Sequence, residues 1–230
     1  MRYLIQFTAV LAFSFSLSVA AAQNKVVVIP LGKSKPKVEV PVVTSAGQTW
    51  MALNLGASQV ATSSADPAAY GTLYQWGRFG DGHEYRSSLT TTELSNTDAP
   101  GHGSFIKSTF PPYDWRTKQN DNLWQGESGI NNPCPPGFRL PTDTELNTER
   151  LSWSSNDSVG ALASPLKLVP AGYRNGYTGG IEQVGTFGFY WSSTVNDQLK
   201  MSGYLIVNFI DSYTSYTRRS SGFSVRCIKD

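Results

Sequence analysis

The stretch CPPGFRLPTDTE, residues 134–145, carries the strongest local signal for how this chain folds. Thr142 follows a proline and precedes Glu145 by three positions, which is the pattern of a capping box at the start of a helix. In such a box the threonine hydroxyl accepts a bond from a backbone N–H, and the glutamate carboxylate reaches back to the cap. The pattern predicts a helix from Asp143 to about Leu151.

Beyond this helix the sequence predicts strands at residues 166–173, 187–192, 203–209 and 222–228. Glycines and polar clusters separate them, which is typical of antiparallel strands joined by hairpins. Before the helix, Asp66 and Pro67 match a helix start, although Gly71 interrupts the continuation to residue 76. Residues 77–132 show no clear period and are predicted to be packed irregular structure.

The N-terminal segment predicts export. Arg2 precedes an uncharged apolar run at residues 3–19, and three alanines then offer a cleavage site, so residues 1–22 are predicted to be a signal peptide. An uncleaved anchor helix is the alternative. The run is short for a membrane span, and no stable span is expected after cleavage. Residues 23–44 are rich in valine and interrupted by prolines, which predicts an extended arm or edge strand.

Charge argues against a nucleic-acid partner. Only 16% of the residues are charged, the net charge is +2, and both signs are interspersed along the chain. A nucleic-acid-binding domain usually carries a basic patch or stripe, and none is visible here.

Cys134 and Cys227 are the two cysteines of the chain. In a protein bound for an oxidising compartment, such a pair favours one long-range disulfide. A zinc site is the alternative, but no histidines lie near the cysteines in the sequence. A redox-active pair would be expected at C-x-x-C spacing, which is missing.

Six short motifs follow one another along the chain. They are GQTWMALNL (47–55), YGTLYQW (70–76), CPPGFRLP (134–141), GYRN (172–175), YWSST (190–194) and GFSVRC (222–227). In kind and order they resemble the motifs of the Fibrobacter succinogenes major paralogous domain family. The resemblance covers residues 45–230, and residues 23–44 would precede this domain as the arm.

This resemblance implies an α+β domain with a C-type-lectin-like fold. A mostly antiparallel sheet would be flanked by two short helices and by long, irregular packed loops, with the last cysteine tied back near the second helix. It also implies a bacterial protein that is secreted or otherwise extracytoplasmic, in the periplasm, on the outer surface or in the medium.

The sequence predicts no metal or other cofactor. Calcium-dependent sugar-binding lectins carry a Glu-Pro-Asn or Gln-Pro-Asp triplet, and neither occurs here. Asn196, Asp197 and Glu182 could supply some of the six to eight oxygens that calcium requires. Asn-Asp pairs are, however, typical turn formers, so calcium is the less favoured alternative.

Catalysis is also not expected. The GFSVRC motif is similar to the C-terminal element of formylglycine-generating enzymes, which need a copper-binding cysteine pair, whereas here the cysteines match a structural bridge. No H-E-x-x-H or G-x-S-x-G pattern is present. His83 and His102 are flanked by glycine or acidic residues and are expected to be solvated loop residues.

The tryptophans and motif arginines are expected to have structural roles. Trp50, Trp76 and Trp191 lie beside other apolar residues and are predicted to pack in the core. The guanidinium groups of the motif arginines are predicted to bond backbone carbonyls or a carboxylate such as that of Glu145. These arginines are Arg139, Arg174 and Arg226.

The leading hypothesis is an exported, non-catalytic binding domain for an extracytoplasmic glycan or protein. In lectin-like folds the ligand usually binds at the long loop, which corresponds here to residues 174–186. Binding residues commonly sit on such polar, glycine-rich loops. The predicted ligand residues are Arg174, Asn175, Tyr177, Glu182 and Gln183.

A structural or assembly role is the alternative. In that case the arm at residues 23–44 would add as a strand to another copy or to a surface partner. Its alternating lysines would be expected to discourage such pairing.

Overall fold

The computed structural model of the protein describes residues 25–29 and 38–230. Its strands, in chain order, are β1 (Lys25–Ile29), β2 (Val38–Ser45), β3 (Gln48–Met51), β4 (Tyr74–Gln75), β5 (Thr90–Thr91), β6 (Phe105–Ile106), β7 (Phe138–Arg139), β8 (Tyr173–Arg174), β9 (Ile181–Glu182), β10 (Gly188–Asn196), β11 (Met201–Val207), β12 (Ser212–Thr217), β13 (Gly222–Phe223) and β14 (Ile228–Lys229). The helices in this part of the chain are α1 (Asp143–Leu151) and α2 (Ser158–Ala163). The predicted signal peptide lies outside the described residues.

The strands form three antiparallel sheets and one small parallel pair. The sheets have the strand orders β1-β2-β3-β14-β7, β4-β13-β8-β9 and β10-β11-β12, while β5 pairs with β6. The prediction of mostly antiparallel sheet with two short helices and much irregular chain is confirmed. Within residues 25–29 and 38–230, no helix is long and apolar enough to cross a bilayer.

Helix α1 begins at the predicted capping box. The Thr142 hydroxyl accepts a bond from the Glu145 backbone N–H at 3.2 Å, and the Glu145 carboxylate accepts one from the Thr142 N–H at 2.8 Å. The same carboxylate accepts two bonds from the Arg139 guanidinium, at 2.9 and 2.8 Å. Strand β7 is therefore tied to the start of α1, as the sequence predicted for this arginine.

Several elements differ from the sequence-based expectation. Asp66 caps only a 3-10 turn, Pro67–Ala69, because Gly71 has a φ of +69°, which is not helical. Of the strand predicted at 166–173, only Tyr173 joins a sheet. The second short helix is α2, at a position where the sequence predicted none, and strand β12 was not predicted either.

The described part of the predicted arm belongs to the sheet. Strand β2 has β1 on one side and β3 on the other, so it is an inner strand rather than an edge strand. Val40 and Val42 are buried in the core. Pro41 lacks an N–H to donate, but its carbonyl oxygen accepts a bond from Ala52 N–H at 2.8 Å. The predicted boundary at residues 44 and 45 falls inside β2.

The core contains the tryptophans, as predicted. Trp50, Trp76 and Trp191 have no exposed surface, and neither do Trp115 and Trp124 of the long irregular section. These indoles explain how a section with so little regular structure stays compact, since each large ring removes much apolar area from water.

The predicted bridge between Cys134 and Cys227 is present. The cysteines are 93 positions apart, and they precede β7 and β14, which pair with each other in the five-stranded sheet. The bridge therefore joins two strands that would otherwise depend on a short ladder.

Replacing both cysteines, Cys134→Ser with Cys227→Ser, is expected to lower the free energy of unfolding by about 2–5 kcal/mol, because a long loop is no longer closed in the unfolded chain. Urea unfolding of the oxidised parent and the double variant measures the difference. Equal unfolding free energies, or two free thiols in the purified parent by mass spectrometry, would contradict the role of the bridge.

Candidate functional site

Four aromatic rings stack into a column that leads from the core to the surface. The ring of Trp191 lies 4.3 Å from that of Phe223, Phe223 lies 4.9 Å from Phe189, and Phe189 lies 6.0 Å from Phe187. The angles between successive planes are 28°, 29° and 20°, so the rings are stacked rather than edge-to-face. Trp191 is fully buried, whereas Phe187 at the other end is partly exposed.

The column follows from strand geometry. Phe189 and Trp191 lie two positions apart on β10 and therefore point to the same face, and Phe187 lies two positions before Phe189, just ahead of the strand. The fourth ring comes from β13, which lies beside β10: Trp191 N–H donates to the Ser224 carbonyl, and Ser224 N–H donates to the Phe189 carbonyl, each at 3.0 Å. These backbone bonds allow Phe223 to enter between Phe189 and Trp191.

Two tyrosines flank the column and complete a cavity of about 310 Å³. Tyr173 lies 5.0 Å from Phe189 at 62°, and Tyr204 lies 5.1 Å from Phe223 at 61°. We call this cavity the aromatic cleft. It is lined by Tyr173, Gln183, Phe187, Phe189, Tyr204, Thr217, Ser221 and Phe223. None of these side chains is charged, and amide and hydroxyl groups supply the polar part of the lining.

Glu182 holds the side chain of Tyr173, which forms one wall of the cleft. Its carboxylate accepts bonds from the Tyr173 hydroxyl at 2.6 Å and from the Asn175 amide at 2.9 Å. Burial, together with this bond to the carboxylate, raises the pKa of Tyr173 to about 12, so the phenol stays protonated and its proton points at Glu182. The Tyr173 ring is thereby held in one orientation.

The five predicted ligand residues do not share one surface. Gln183 is exposed and lines the aromatic cleft. Glu182 and Asn175 do not line the cleft. Glu182 accepts the bonds from Tyr173 and Asn175 described above. Tyr177 does not line the cleft, and its ring packs 6.2 Å from that of Tyr113.

Arg174 is 3% exposed and is not available to a ligand at the surface. Its guanidinium donates to the carbonyl oxygens of Gly179 and Ser88, at 2.9 and 2.7 Å, and lies 4.3 Å from the Phe105 ring. The structural role predicted for this arginine is present, since its guanidinium bonds backbone carbonyl oxygens. The aromatic residues of the cleft were missed, although the alternation of Phe187, Phe189 and Trp191 could have revealed one face.

His83 is buried, in contrast to the solvated position expected from its sequence. Its Nδ1 lies 2.8 Å from an Asp81 oxygen, and its Nε2 accepts a bond from Gln75 N–H at 3.1 Å. An imidazole that accepts at Nε2 and bonds a carboxylate at Nδ1 is the neutral form with the proton on Nδ1. Burial lowers the pKa of His83 to about 4, against the opposing effect of Asp81.

Asp81, His83 and Glu84 together place three groups of the kind that bind metals within 4.8 Å of one another. Each group already has a protein partner. Asp81 accepts from Arg78 Nε at 2.8 Å, and Glu84 accepts from Gly82 N–H at 2.8 Å. These bonds explain why the three groups lie together: they fold the loop at residues 78–84 around the buried imidazole.

Comparison of the chain with protein-family models, with curated proteins and with solved structures finds no match. The family resemblance therefore stays a prediction from the six motifs, and the site is interpreted from its own geometry.

The variant His83→Gln is expected to lose less unfolding free energy than the parent when the pH is lowered. The pKa of His83 is about 4 in the folded protein, below its ordinary value of 6.5. The contribution of the buried neutral imidazole to the free energy of unfolding is therefore complete above pH 6.5 and is lost as the pH falls towards 4. Over that range the parent should lose up to about 3 kcal/mol of unfolding free energy relative to the variant.

Urea unfolding at several pH values between 4 and 7.5 measures this difference. His102→Gln is the matched control, since His102 is exposed, and it should retain the parent's pH dependence. Parallel pH curves for the parent and His83→Gln would contradict the buried neutral imidazole.

Proposed function

We propose that the chain is an exported, non-catalytic binding domain on a C-type-lectin-like scaffold, and that it binds a glycan in the aromatic cleft. The observation that carries this proposal is the uncharged cavity at the outer end of the ring column. A sugar ring has apolar C–H faces and a rim of hydroxyls. The partly exposed ring of Phe187 offers a surface for such a face, and Gln183, Thr217 and Ser221 offer partners for hydroxyls.

The fixed geometry of the cleft supports binding. Phe187 rests on three further stacked rings, and Tyr173 is held by Glu182, so little side-chain freedom remains to be lost when a ligand enters. Sites that are organised before the ligand arrives lose less free energy on association. Apolar walls with a few oriented polar groups are also the usual composition of small-ligand sites.

Export is supported by the disulfide and by the N-terminal pattern. Disulfides persist in oxidising compartments and are rare in the cytosol. The order of the six motifs favours the lectin-like scaffold. Both cysteines are joined to each other, which favours a binding module over the formylglycine-generating type of enzyme, because that enzyme requires a cysteine pair free to bind copper.

Phe187→Ala is expected to weaken glycan binding by about tenfold, because the stacking ring is removed while the other three rings of the column remain. A glycan array probed with residues 23–230 identifies the sugar, and titration calorimetry with that sugar compares the variants.

Phe110→Ala is the matched control, because Phe110 is 77% exposed and is not among the residues that line the aromatic cleft. Its affinity should equal that of the parent. The proposal fails if no glycan binds, or if Phe187→Ala and Phe110→Ala bind a glycan equally well.

A further inference from the structure

Arg218 differs from the other arginines of the described chain. Eight of them donate to protein oxygens: Arg78, Arg86, Arg116, Arg139, Arg150, Arg174, Arg219 and Arg226. Within residues 25–29 and 38–230, the guanidinium of Arg218 has neither a hydrogen-bond acceptor nor a carboxylate partner. Its neighbour Arg219, by contrast, is buried and paired with Asp121.

Two tyrosine rings hold this guanidinium in place. Its central carbon lies 3.9 Å from the ring centre of Tyr113 and 4.7 Å from that of Tyr177. An arginine over an aromatic face is attracted by the ring, and its planar set of N–H donors stays free for another partner. The charge of Arg218 is therefore positioned without being neutralised.

Backbone bonds bring these three side chains together from distant parts of the chain. Ser220 N–H donates to the Tyr113 carbonyl at 3.2 Å, and Ser108 N–H donates to the Gly176 carbonyl at 2.9 Å. The turn that carries Tyr177 is held by Asn175, whose side-chain oxygen accepts from the Tyr177 N–H at 2.8 Å. The arrangement is thus part of the fold rather than a chance approach of surface side chains.

Arg218 and Tyr113 line a cavity of about 350 Å³. Its walls are mainly apolar, from Pro111, Pro112, Leu199 and Met201, and Lys200 adds a second cation. No acidic residue is among the lining residues. This cavity, which we call the arginine pocket, shares no lining residue with the aromatic cleft.

We propose that the arginine pocket is a second binding site, and that it takes a carboxylate attached to an apolar group. A carboxylate is planar and matches two parallel N–H donors of a guanidinium. The apolar walls favour a ligand with a single charge and a hydrocarbon body over a small, strongly hydrated anion. A free organic acid and the C-terminal carboxylate of a peptide share this chemistry.

Titration calorimetry of residues 23–230 with benzoate and with N-acetyl-Leu-Phe tests the site, since the two probes represent the two sources. At least one should bind, and Arg218→Gln should weaken that binding by about tenfold or more, because a charge-assisted bond is lost. Tighter binding of benzoate identifies a free organic acid as the source of the carboxylate, and tighter binding of N-acetyl-Leu-Phe identifies the C-terminus of a peptide. Benzyl alcohol and inorganic phosphate should bind at least tenfold more weakly than that probe.

Arg150→Gln is the matched control, because it removes the same charge from a partly exposed arginine on α1. It should leave the affinity within about twofold, and thermal unfolding should show that both variants are folded. The proposal is overturned if neither carboxylate binds, if Arg218→Gln binds as the parent does, or if benzyl alcohol or phosphate binds as tightly as the carboxylates.

Discussion

The fold depends on hydrogen bonds from buried indole N–H groups to backbone carbonyls. Trp191 Nε1 donates to the Tyr74 carbonyl at 2.7 Å, and Trp76 Nε1 donates to the Ser192 carbonyl at 2.9 Å. These two bonds run in opposite directions between β10 and the segment formed by β4 and the residue that follows it, and they join the four-stranded sheet to the three-stranded sheet. Trp115 Nε1 adds a third, to the Trp76 carbonyl at 2.7 Å. Leaving any of these buried groups unpaired would cost about 1–3 kcal/mol, so the rings cannot rotate independently of the sheets. The ring column that ends in the aromatic cleft begins at Trp191, so the bond that holds this indole also holds the inner end of the column.

The features that the sequence predicted correctly depend on local chemistry. The capping box at Thr142 lies within four residues, and it predicted where α1 begins. The pairing of Cys134 with Cys227 could be predicted because there are only two cysteines in the chain. The bond from Arg139 to Glu145 also spans a short stretch, across the start of the same helix.

What could not be predicted depends on contacts between distant residues. His83 looks like a loop histidine, and only its bonds to Asp81 and to the Gln75 backbone show why it is buried. The residues of the predicted ligand loop separate because its hairpin places Gln183 beside Phe187 in the aromatic cleft, while its turn places Tyr177 beside Arg218. Neither Tyr204 nor Tyr113 carries a sequence signal for these positions, since each is brought there by strands and loops far away along the chain.

The indole bonds lock the two sheets together and hold the ring column rigid. Hydrogen exchange of the indole N–H protons, followed by NMR in native conditions, measures this coupling. We expect the indole protons of Trp76, Trp115 and Trp191 to exchange as slowly as the most protected backbone amides, with the same free energy of opening, because their release requires global unfolding. Fast exchange at Trp191 and Trp76, while the amides of β10 and β11 stay protected, would show that the indole bonds do not lock the sheets.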